Sequence, residues 1–84
     1  MLETAMKLMP KFMSKILVDI EGIKQQEQLV CVLLRLNFSL GEIASLLDMS
    51  SQRLTNMRSR MIKRMTGKKG PARKFDAYIK NIEK

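Results

Sequence analysis

The chain has 84 residues, 45% of them hydrophobic and recurring periodically, which suits one small folded domain and argues against disorder. It has no His and a single Cys, so a histidine base, a zinc-binding Cys cluster and an internal disulfide are all excluded. The net charge of +8 is uneven: residues 1–50 hold five Lys/Arg against six Asp/Glu, a balance of −1, and residues 51–84 hold eleven against two, a balance of +9. A charge split this local is a surface field that suits a polyanion docking on the C-terminal half.

Met1 to Met9 reads as a helix with Leu2, Ala5, Met6 and Met9 on one face. Pro10 disfavours helical geometry at Met9, so it either kinks this helix or opens a new one. From Pro10 to Ile20 the residues Phe12, Met13, Ile16, Leu17 and Ile20 form a broad apolar stripe, read as a packing or dimerising surface. Its methionines are adaptable filler, because no His accompanies them to bind a metal. Glu21-Gly22 breaks the pattern and ends this N-terminal region, residues 1–22.

Residues 23–84 read as the functional domain. A helix over Lys24–Leu36 is apolar nearly all round from Leu29 to Leu34, which makes it the central buried helix. Cys31 lies in that run as a small core residue, consistent with a reducing, cytoplasmic setting. Arg35 reaches either solvent or a phosphate, and Asn37 ends the helix, in keeping with its tolerance of positive φ.

Two helices and a tight turn follow, over Leu40–Leu47 and Ser51–Met65. Ser39 stands three residues before Glu42, the spacing of a reciprocal capping box, and Phe38 with Ile43 has the spacing of a hydrophobic staple. Ser50 caps the second helix, and Met49 with Leu54 repeats the staple. Only Asp48 and Met49 separate Leu47 from that cap, so the chain must turn sharply, as in a helix-turn-helix. On the second helix Leu54, Met57, Met61, Ile62 and Met65 make the apolar stripe. The remaining residues join short hydrogen-bonding side chains to cations, and Asp76 is the one carboxylate between Ser51 and Lys80. Thr55, Asn56 and Ser59 are the expected base contacts. Ser51, Gln52, Arg53, Arg58, Arg60 and Lys63 are the expected backbone contacts. Thr66-Gly67 stops the helix. In the loop beyond it, Lys68 and Lys69 either grip phosphate through charge or simply keep the loop soluble. Pro71 fits the first turn of a last helix, where Phe75, Tyr78, Ile79 and Ile82 recur on one face and Arg73, Lys74, Lys80 and Lys84 supply outer charge.

The stretch from Ile23 to Met65 resembles the LuxR/GerE-type helix-turn-helix of bacterial transcriptional regulators. Glu42-Ile43-Ala44 matches that family's E-I-A core, and Leu54, Met61, Arg64 and Met65 match its V-x6-[IL]-x2-K-L pattern with conservative exchanges. Glu27 and Ile23 stand where the family opens with L-T-x-x-E. Asn37 replaces a usual Gly, Lys24 a helix-capping Thr, Arg53 a common Thr and Met57 a common His or Tyr. The last two lie on the recognition helix, so target-sequence rules do not carry over. The resemblance implies a double-stranded DNA-binding domain, often paired as a homodimer through its last helix and placed after an upstream sensor or regulatory domain in a longer chain.

The expectation is therefore an all-α bundle of five or six helices that binds specific DNA sequences, with no catalytic site, metal or cofactor. Neither a G-x-G-x-x-G nor a G-x4-G-K-[ST] motif occurs. No signal peptide or membrane span is expected, since charges interrupt the N-terminus and Leu29 to Leu34 is the longest apolar run. The competing reading is a helical interaction or oligomerisation module whose basic face meets an acidic partner. The Thr, Asn and Ser on the recognition face favour DNA.

Overall fold

The computed structural model describes residues 2–83. They form six helices and no strand: α1 (Leu2–Leu8), α2 (Pro10–Asp19), α3 (Gln25–Arg35), α4 (Leu40–Leu46), α5 (Ser51–Thr66) and α6 (Ala72–Lys80). The architecture is all-α, as the periodicity predicts. Lys84, expected among the outer charges of the last helix, lies outside the described residues, as does Met1.

Pro10 opens a new helix. Met9 takes φ −134° and ψ 60°, outside the helical region, and Pro10 enters the first turn of α2, where its missing N–H costs nothing. The buried residues Ala5, Met9, Phe12, Met13, Ile16 and Ile20 belong to the same core as the rest of the chain. At its centre lies α3, with Val30, Cys31, Val32, Leu33 and Leu34 all buried. Leu54, Met57, Met61 and Ile62 of α5 close the core from one side, and Phe75 and Ile79 of α6 from another. At the end of the core helix Arg35 donates from Nε to the Ile82 carbonyl at 2.8 Å, which ties α3 to the chain's last residues rather than to a phosphate. The second tie to this end is Tyr78, whose hydroxyl donates to the Asp19 carboxylate between α6 and α2.

The two connections that frame α4 are built alike. Asn37 (φ 66°) and Asp48 (φ 52°) both adopt the left-handed conformation just past a helix end. In the first, the amides of Phe38 and Asn37 donate back to the carbonyls of Leu33 and Leu34 at 3.0 and 2.9 Å. In the second, Met49 and Asp48 donate to Ala44 and Ser45 at 2.9 and 3.3 Å. Both are Schellman closures. The apolar residue of each, Phe38 or Met49, packs on the core, and the serine that follows caps the next helix. The triplets Asn37-Phe38-Ser39 and Asp48-Met49-Ser50 thus end one helix and begin another within three residues. Pro71 sits one position earlier than expected, at the cap of α6 rather than inside its first turn.

Candidate nucleic-acid interface

The position of α5 is fixed by its caps and its buried stripe. Ser50 Oγ accepts from the Arg53 amide at 3.1 Å, and Gly67 closes the other end at φ 75°. Ser39 and Glu42 complete the reciprocal box that starts α4: the Glu42 amide donates to Ser39 Oγ at 3.1 Å, and the Ser39 amide donates to Glu42 Oε1 at 2.9 Å. That backbone bond, then the Ser39 hydroxyl, holds the Glu42 carboxyl below its usual range.

At about 100° per residue, Gln52, Asn56, Ser59 and Lys63 run along the outermost line of α5. Thr55 and Ser51 lie on one flank, and Arg53, Arg60 and Arg64 on the other. Ser51, Gln52, Arg53, Thr55, Asn56, Arg60 and Lys63 are exposed, and Ser59 is half-buried. Gln52 Nε2 donates to Asn56 Oδ1 at 2.9 Å. This bond orients both amides and leaves the Asn56 side-chain nitrogen and the Gln52 side-chain oxygen without a partner among the described residues. Among the described residues Arg53, Arg60 and Lys63 make no ion pair. The first turn of α5 carries no acid to meet the positive end of the helix dipole.

One expected contact is corrected. Arg58 is 5% exposed, and its Nε and Nη2 donate to the two carboxylate oxygens of Asp76 at 2.8 and 2.6 Å. The guanidinium is a bridge from α5 to α6 and is not available to a phosphate. The signal was in the spacing: Arg58 follows Leu54 by four and precedes Met61 by three, so it lies on the apolar stripe. Asp76, the one acid in that basic stretch, was its partner in waiting.

A second bridge joins α5 to the start of α3, between residues no local spacing connects. Arg64 Nη1 donates to both oxygens of Glu27 at 2.9 and 2.8 Å, and Nη2 donates to the Glu21 carbonyl at 2.6 Å. Glu27 also accepts from the Lys24 amide at 2.8 Å, half of a capping box, because the lysine ammonium that replaces a hydroxyl cannot accept the reciprocal bond. These bonds fix the start of α3 against the arginine flank of α5.

Lys68 and Lys69 are exposed but stand past the far end of α5, whose sixteen residues rise about 24 Å. The structure does not bring them to Ser51, Thr55 and Asn56. Cys31 is fully buried, and burial pushes its thiol up to about 12, which leaves it inert as a nucleophile. No helix among the described residues is long and apolar enough to cross a membrane. Comparisons with protein-family models, curated proteins and solved structures found no match.

Proposed function

We infer that the chain binds double-stranded DNA in a sequence-specific manner in transcription control, with α5 seated in the major groove. The observation that carries this reading is the division of charge on α5. Asp76 and Glu27 are each consumed by a dedicated arginine, whereas Arg53, Arg60 and Lys63 make no ion pair among the described residues and surround exposed Thr55 and Asn56. A face made for solubility alone would interleave acids with its cations. Thr55, Asn56 and Ser59 would read base edges, and Ser51, Gln52, Arg53, Arg60 and Lys63 would hold the flanking phosphates. The resemblance to LuxR/GerE-type regulators supports the same reading and adds a bacterial source, a homodimer and an upstream sensor domain in a longer chain.

Binding to a random duplex library, with sequencing of the retained molecules, tests it. Enrichment of a short motif is the expected result. Retention without any motif, or none at low salt, would replace this reading with the interaction module and its acidic partner.

A further inference from the structure

We propose that the groove between the start of α3 and the arginine flank of α5 is a phosphate site that takes a phosphodiester of the DNA backbone. The groove encloses about 300 Å³. Lys24 at the cap of α3 and Gln26 in its first turn line it on one side, Arg53 and Arg60 from α5 on the other, and the Glu27–Arg64 pair lies between them. Glu27 is the one acid on its walls, and both of its oxygens are taken by Arg64. Lys24, Arg53 and Arg60 therefore line the groove without an ion pair among the described residues. Three cations converging from two helices on a concave space form a focused positive field, and an arginine fork beside a lysine point charge suits a phosphate.

The choice of a backbone phosphate rests on the DNA-binding reading of α5. Arg53 and Arg60 belong to the groove and also border the exposed line through Gln52 and Asn56. A duplex whose major groove receives that line presents the adjoining strand to the Arg53–Arg60 flank. Lys24 would then meet this strand from α3, an element outside the helix-turn-helix pair. The footprint gains a contact on the α3 side and lacks the one that Arg58 would have made toward α6.

The Lys24 side chain makes no hydrogen bond among the described residues, since only its backbone serves the cap of α3, so Lys24→Ala should leave the fold intact. Duplex affinity is measured against salt for the wild type, Lys24→Ala and, as a charge-matched control, Lys80→Ala on α6. The expected result is a loss of about 3–10-fold for Lys24→Ala, alike on every duplex sequence, with the log–log salt slope flatter by about one unit and Lys80→Ala unchanged. Neutral methylphosphonate linkages walked along each strand should reveal one position that weakens the wild type and adds nothing to the loss in Lys24→Ala. A wild-type slope in Lys24→Ala, with the wild type still binding duplex, would overturn the groove and spare the reading of α5. No duplex binding by the wild type would overturn both. Amide spectra with inorganic phosphate supply the last arm: saturation at Lys24 and Gln26 that persists with duplex bound would assign the groove to a free anion and overturn the backbone assignment.

Discussion

The side chain that most changes the chemical picture is Arg58. Charge alone put it among the DNA contacts, but helical phase puts it on the buried side of α5, and phase prevails because Asp76 is there to meet it. An arginine 5% exposed is tolerable only while its fork is matched, since removing one partner strands a buried charge. Asp76→Asn should therefore destabilise the fold by about 3 kcal/mol, read as a lowered midpoint in urea. A midpoint equal to wild type would show that the pair is solvated enough to matter little. The left-handed residues behave differently. Asn37 could be read from the sequence, because asparagine accepts positive φ and follows a strong apolar helix. Asp48 was not legible as such, since its role depends on the Schellman closure that Ala44 and Ser45 complete. A β-branched side chain cannot sit comfortably at φ 52°, so Asp48→Val should cost about 1–2 kcal/mol while Asp48→Gly should be neutral or slightly stabilising. Urea denaturation of the two variants checks this, and equal stability of both would refute the backbone argument.

At the scale of elements, the helices that could be placed from sequence are those whose ends carry local chemistry. Ser39, Glu42, Ser50 and Gly67 act within three or four residues of their partners, so their spacing alone locates α4 and α5. The ties between distant elements left no such trace. Arg64 with Glu27, Arg35 with Ile82, and Tyr78 with Asp19 each join residues more than thirty positions apart, and no period in the chain encodes them. The Tyr78–Asp19 tie carries a pH signature. The Tyr78 hydroxyl, then Lys15, holds the Asp19 carboxyl below the usual carboxylate range, while burial, then Asp19, raises the Tyr78 phenol above its usual range. A depressed carboxylate contributes stability above its unfolded pKa and loses it as pH falls through the folded one. A raised phenol contributes stability below its unfolded pKa and loses it as pH rises through the folded one. The clasp between α2 and α6 is thus complete between the two ranges and weakens below about pH 4 and above about pH 10. Tyr78→Phe should cost about 0.5–1.5 kcal/mol near neutrality and flatten the stability profile at both ends. A variant whose profile still falls at high pH as steeply as wild type would place the alkaline loss elsewhere.

At the scale of the whole molecule, a DNA-reading role for α5 as proposed would leave one helix to select a site. One such helix covers only a few base pairs, too little against a genome of competing sequences. Two copies on inverted half-sites about 34 Å apart would supply the missing discrimination. The sequence offered two pairing surfaces, and the structure weighs them unequally. The resemblance points to the last helix, but α6 spends Phe75 and Ile79, both 0% exposed, on the core. What it turns outward is Arg73, Lys74, Ala77 and Lys80, a cationic face that would repel its own copy. The stripe of α2 is likewise spent at Phe12, Met13, Ile16 and Ile20, yet Leu17 and Val18 remain 43% and 79% exposed, and Leu8 of α1 remains 72% exposed. Of these two surfaces, the one on α1 and α2 keeps the exposed apolar side chains a dimer would need; Leu36, Leu40 and Leu46 around α4 are exposed as well. Ile16→Glu would not test this, because it buries a charge in the core and unfolds the chain. Val18→Glu leaves the core alone. It should lower the affinity for an inverted repeat about 10-fold or more, as the second copy's contribution is lost, with single half-site binding unchanged. Sedimentation of wild type and Val18→Glu, with circular dichroism to confirm folding, reads the association directly. A wild type that stays monomeric at high concentration and binds half-sites as tightly as inverted repeats would sink the pairing proposal. Discrimination would then have to come from a longer footprint by one copy, in which the Lys24 groove at one flank and the Lys68–Lys69 loop beyond the far end of α5 extend the contact along the duplex.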